Sequence, residues 1–154
     1  MNIHIRIAEI IGTTFYIGRL PFAPGTWGSG VAYLTWYFIV PYIDSPLFLL
    51  ITLALFFLGV AVSDILIEEW GDEDPSVIVI DEWVGQWIAL WLLPQSIIWG
   101  FISFLWFRIF DIFKPGPVQI MDDVKSGVGV MMDDVVAGIL ALFMTQSIYY
   151  FWTT

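Results

Sequence analysis

Asp81-Glu82 and Asp133-Asp134 are two pairs of adjacent carboxylates, and in each pair one acid is followed four positions later by a glycine, Gly85 or Gly138. Between the pairs lies Arg108-Ile109-Phe110-Asp111-Ile112-Phe113-Lys114-Pro115. Arg108 and Asp111 are three apart and share a helix face, while Pro115 stops the helix just beyond Lys114. Acids that enter apolar helices are costly to bury unless a cation compensates them. Small residues at helical spacing let helices approach closely, which would bring Asp81, Glu82, Asp133 and Asp134 together with Asp111. Four or five carboxylates, with no Cys in the chain and a single His at position 4, suit a hard cation held by oxygen, Mg2+ in particular. Arg108, Lys114 and Arg19 beside that metal suit a phosphate. Plainer readings exist for each piece. Acids at helix starts complement the helix dipole, and Arg108 with Asp111 can be an intrahelical ion pair beside a snorkelling lysine. The dipole accounts for one acid pair but not for both together with Asp111.

A fourth cluster, Gly18-Arg19-Leu20-Pro21-Phe22-Ala23-Pro24-Gly25-Thr26-Trp27-Gly28-Ser29, precedes an apolar stretch. Its prolines stiffen the loop and its glycines let the backbone turn. It is either a helix-initiating turn or an anion seat built from backbone N–H groups and hydroxyls, and spacing does not separate the two.

These clusters must be positioned by elements that suit a bilayer rather than water. Of 154 residues, 59% are hydrophobic, 18% aromatic and 13% charged, against about 25% charged in an average soluble domain. The mean hydropathy is +0.85. One domain of this length has too little polar residue to cover a soluble core. A net charge of −10 excludes nucleic acid as a partner. The absence of Cys excludes disulfides, thiolate metal sites and cysteine nucleophiles.

Residues 27–43, 47–63, 83–107 and 135–152 are the apolar stretches, and Pro94-Gln95-Ser96 interrupts the third. That stretch is one kinked helix or two. Two are favoured, one capped by Ser76 and running to Leu93, the next capped by Ser96 and running to Phe113. With five helices, Arg6, Arg19, Arg108, Lys114 and Lys125 all fall on one side, as the positive-inside rule requires. Residues 3–17 read as a helix lying on the cytoplasmic face. Glu68, Glu69, Asp72, Glu73 and Asp74 read as a solvated loop. Trp83, Trp87 and Trp91 form one helical face for packing or lipid. The expectation is an all-α integral membrane protein, residues 1–154 as a single domain. It has about five membrane-embedded helices, an N-terminal interfacial helix and a site at the cytoplasmic face.

Taken in order, four segments resemble the bacterial phosphatidylglycerophosphatase A family. They are Pro21-Phe22-Ala23-Pro24-Gly25-Thr26-Trp27-Gly28-Ser29, Ile78-Val79-Ile80-Asp81-Glu82-Trp83-Val84-Gly85-Gln86-Trp87, the run from Phe107 to Pro115, and Asp133-Asp134-Val135-Val136-Ala137-Gly138. The resemblance implies an Mg2+-dependent phosphatase of the bacterial inner membrane that converts phosphatidylglycerophosphate to phosphatidylglycerol. It puts the metal and catalytic roles on Asp81, Glu82, Asp111, Asp133 and Asp134, and phosphate binding on Arg108 and Lys114. Arg19, Thr26 and Ser29 of the proline-glycine loop, with Lys125, complete the candidate substrate contacts. Gly116 and Asp123 depart from the family pattern.

Such an enzyme would polarise a phosphoryl oxygen through its metal and activate water with Glu82 or one of the adjacent aspartates. An aspartyl-phosphate route and a second metal stay open. A histidine nucleophile is excluded because the one His lies in the N-terminal segment. A cation transporter is the rival class, and it predicts carboxylates near mid-membrane rather than at helix ends among basic residues. A CDP-alcohol phosphotransferase would need a pattern of spaced aspartates that this chain lacks.

Overall fold

The computed structural model describes residues 3–73 and 75–154. Every element among them is helical: α1 (Ile3–Gly12), α2 (Pro24–Ile39), α3 (Ser45–Trp70), α4 (Ile80–Leu90), α5 (Ile97–Phe113), α6 (Pro117–Asp122) and α7 (Gly127–Thr153). The boundaries follow local chemistry. Pro24 and Pro117 sit in the first turns of α2 and α6, where a missing N–H is harmless. Asp44 caps α3 by accepting from the Leu47 N–H at 2.9 Å, and Gly71 closes it in the left-handed region at φ 65. Ser126 caps α7 through the Gly129 N–H. Ser126→Ala is therefore expected to lower unfolding stability in detergent by about 1 kcal/mol. An unchanged midpoint would deny the cap its role.

The central element is α4, which packs against α2, α3, α5 and α7. Seven of its eleven residues are buried, as expected of a helix enclosed by others, and the buried set includes the polar Gln86. Trp87 belongs to the core. Its indole N–H donates to the Ala32 carbonyl at 2.9 Å, and its ring meets Phe48. Trp91 donates to the Ser45 carbonyl at 3.2 Å. The tryptophan face thus serves packing at these two positions.

Four boundaries depart from the sequence expectation. One is the end of α4, which stops at Leu90 rather than Leu93 because Trp91 turns to an extended conformation. The first helix of the interrupted stretch begins at Ile80, not after Ser76. The segment between is held by other partners: Val79 N–H donates to the Gly12 carbonyl at 2.9 Å, and the Val77 carbonyl lies against Gly18. Docking on the N-terminal segment thus outweighs the cap. Helix α3 runs on through Glu68 and Glu69, because α1 packs on it with Leu66 buried against Gly12. Of the acids read as loop, Asp74 lies outside the described residues. Helix α1 stops at Gly12, where Thr14, Phe15 and Tyr16 take left-handed conformations.

Two helices, α3 and α7, are long and apolar enough to cross a membrane. Only 28% of the apolar window of α3 is buried, and Leu50 and Phe57 on it are 62% and 68% exposed. A soluble core helix would hide such residues, whereas lipid accommodates them. The eleven residues of α4 extend only about 16 Å at roughly 1.5 Å per residue.

Candidate active site

The helices that carry the acid and base clusters meet at one end of the bundle. The first turns of α2 and α4 and the second turn of α7 lie there, together with the last turns of α5. The decisive contact is the crossing of α4 and α7. A Cβ on Gly138 would strike the Gly85 carbonyl, and a Cβ on Gly85 would meet the Asp134 carbonyl oxygen at 2.6 Å. The two glycines therefore let the backbones touch, and this places Asp134 beside Asp81 and Glu82. One carboxylate oxygen from each of the three lies within 4.8 Å of the others. Asp134 is 2% exposed.

Around this cluster opens a cavity of about 290 Å3 that Asp81, Glu82, Asp133, Asp134, Asp111, Arg108 and Lys114 all line. Arg108 pairs with Asp111 one turn along α5. Its Nη1 also donates to Ser29 Oγ at 3.2 Å, while Ser29 donates to the Gly25 carbonyl at 2.7 Å. Gly25 lies against both Glu82 and Arg108, leaving no room for a side chain. The start of α2, from Gly25 to Ser29, thus positions the arginine through Ser29 and admits Glu82 beside it. Lys114, which ends α5, donates to Asp133 at 2.7 Å and pairs with Asp122. Burial works to release its proton, but the hydrogen bonds and negative charges of Asp122 and Asp133 outweigh burial and hold its pKa above the ordinary lysine value. It remains a cation at any working pH.

Other candidates lie elsewhere. Arg19 pairs with the buried Glu9 of α1 and does not line the cavity. Thr26 is exposed at the first turn of α2, also outside the lining. Ser29 stands behind Arg108 rather than in the cavity wall. Lys125 lines a much smaller adjoining space of about 20 Å3 shared with Asp81, Asp122 and Asp133, enough for a water molecule. Asp122 is the residue that sequence reasoning missed. It reaches Lys114 because α6, six residues long, folds the segment after Pro115 back onto α7. The only available signal was the Pro-Gly-Pro run that opens it. Gly116 there has φ 34 and open space around it, and Asp123 accepts from Gln119 at 3.1 Å.

The donor set can be tested for a metal. Glu82 Oε2 and Asp134 Oδ1 are buried without any hydrogen-bond partner, a serious cost for carboxylates unless something cationic meets them. Lys114 already pairs with Asp133 and Asp122, and Arg108 with Asp111 and Ser29, while Arg108 Nε keeps no partner. Oxygen donors without nitrogen or sulfur fit a hard divalent cation.

Comparison with known proteins gives one family and relatives described for two head groups. The family model described as phosphatidylglycerophosphatase A matches residues 10–149. A Bacteroides thetaiotaomicron protein, provisionally described as a phosphatidylinositol-3-phosphatase, is 43% identical over 77% of this chain and 78% of its own. The phosphatidylglycerophosphatase A of Haemophilus influenzae is 34% identical over 92% of this chain and 88% of its own. That of Escherichia coli is 33% identical over 94% and 84%. No solved structure matches.

Proposed function

The chain belongs to the phosphatidylglycerophosphatase A family and is a phosphatase; from that premise we propose that it hydrolyses the terminal phosphomonoester of phosphatidylglycerophosphate, with Mg2+ held by Asp81, Glu82 and Asp134. The observation that carries this reading is the set of three converging carboxylates facing Arg108 and Lys114 across one cavity. When bound, Mg2+ supplies neutralisation of phosphoryl charge and a lowered pKa for water. The remaining steps belong to the chain. Arg108 and Lys114 meet the phosphoryl oxygens, their charges stabilising the transferring group. A carboxylate oxygen left over from metal binding, on Glu82 or Asp134, accepts the proton of the attacking water. The water oxygen bonds to phosphorus as the ester P–O bond breaks. The leaving alkoxide takes that proton from the carboxylic acid just formed, giving phosphatidylglycerol and inorganic phosphate. Asp111 holds Arg108 in place, and Asp122 and Asp133 hold Lys114.

The same reading embeds α2, α3, α4, α5 and α7 in the bacterial inner membrane with the acidic end facing the cytoplasm. Successive helices reverse direction, which supports it, and Arg108, Lys114 and Lys125 at the acidic end agree with the positive-inside rule.

The test is phosphate release from phosphatidylglycerophosphate in detergent, with Mg2+ and then with EDTA. Release should require the metal. Mg2+ should also raise the thermal midpoint, since a ligand at about a hundred times its Kd stabilises by about 2.7 kcal/mol. A folded parent that releases nothing under any divalent cation overturns the proposal. Phosphatidylinositol 3-phosphate belongs in the same assay, and release from it alone would reassign the head group.

A further inference from the structure

An apolar groove of about 310 Å3 lies between α2 and α5, walled by Trp27, Gly30, Val31 and Leu34 on one side and Phe101 and Phe104 on the other. Its remaining wall residue, Tyr33, has its hydroxyl occupied, donating to the Ile97 carbonyl at 2.9 Å. The groove therefore offers hydrocarbon contact and nothing else. Its position gives it meaning. Phe104 and Phe101 stand one and two turns from Arg108 on the same face of α5. On α2, Gly30 directly follows Ser29, the residue that receives Arg108. A Cβ at Gly30 would meet nothing within 4 Å, so the groove is open there. The same two helices thus carry the cationic wall of the phosphate cavity at their ends and an apolar trough immediately beyond. That order matches an amphipathic molecule whose phosphate is anchored by Arg108.

Two other apolar grooves do not share this continuity. The one between α3, α4 and α7 holds Leu53 and Met132 and contains no residue of α2 or α5, the helices that carry Arg108 and its partner Ser29. The one between α1, α3 and α4 holds Phe15 and Leu58 and contains neither α2 nor α5.

We propose that the α2–α5 groove seats an acyl chain of the lipid whose phosphomonoester occupies the cavity at Arg108. This rests on the reading that the substrate is a lipid phosphomonoester, and it adds where the hydrocarbon lies. It also explains an otherwise open glycine on a lipid-facing helix: a side chain at position 30 would fill the seat.

The first test is photolabelling with phosphatidylglycerophosphate that carries a diazirine in one acyl chain. Label should fall on residues 27–34 and 101–104 and drop when excess unlabelled phosphatidylglycerophosphate is added, but not with excess phosphatidylcholine. Label that resists this competition, or that falls chiefly on α3, overturns the proposal as ordinary annular lipid. The second test is Gly30→Trp, with Leu53→Trp in the other groove for comparison. Gly30→Trp should reduce the kcat/KM preference for the dioleoyl substrate over its deacylated head group about tenfold, as expected when roughly two methylene groups lose their seat. Leu53→Trp should leave that preference alone. Equal effects of Gly30→Trp on both substrates overturn the proposal. A parent inactive on every phosphomonoester overturns the hydrolytic reading instead, and the labelling pattern still decides the groove.

Discussion

Asp134→Asn is expected to reduce phosphate release about a thousandfold, the effect of losing several kcal/mol of transition-state stabilisation at a metal ligand, without weakening the fold. The two halves of this expectation come from one fact. Asp134 is 2% exposed, its Oδ1 has no hydrogen-bond partner, and its carboxylate converges with those of Asp81 and Glu82. In the metal-free protein that arrangement is repulsive, so removing one charge leaves the thermal midpoint in EDTA equal to the parent's or higher. The variant should also lose the upward shift that Mg2+ gives the parent. Steady-state kinetics and thermal unfolding on one detergent preparation decide it. Activity within about tenfold of the parent would remove Asp134 from the site. A sharp fall in midpoint would make it a structural residue.

Gly138→Ala should have the second largest effect, and here fold and function fall together. The added methyl meets the Gly85 carbonyl carbon at 3.0 Å and its Cα at 3.2 Å, besides the carbonyl oxygen. These are backbone atoms on a rigid helix, so no flexible side chain can give way. Helices α4 and α7 must separate, with a stability loss of about 2 kcal/mol. Separation also pulls Asp134 away from Asp81 and Glu82, and a misplacement on the order of 1 Å costs about a hundredfold in rate. Gly30→Ala is the stability control, since its methyl meets open space. If Gly138→Ala unfolds at the parent's midpoint, the tight crossing does not hold the site together.

The residues themselves announced a good deal. Acids entering apolar helices, the Arg108, Asp111 and Lys114 set, and glycines four positions after Asp81 and Asp134 pointed to one oxygen-rich, partly cationic site. The reason is energetic: a charge in an apolar helix demands a partner, and its residue type names the partner's sign. The helix expected from Ser96 to Phe113 was also legible, since α5 runs Ile97–Phe113 and the signals at its two ends are local.

What the chain alone could not decide were matters of distance between segments. Ser76 offered a good cap, yet Val79 bonds to Gly12 and delays α4 until Ile80. Arg19 looked like a phosphate ligand until Glu9 claimed it. Asp122 itself gave no signal in the sequence, and only α6 turns it toward Lys114. In each case a contact made across the fold competes with a local preference of similar strength, and the partner sits in another part of the sequence. Local chemistry thus determined which groups must be compensated in this protein. Only the packing of α4 against α7, and of the chain ends around them, decided which group compensates which.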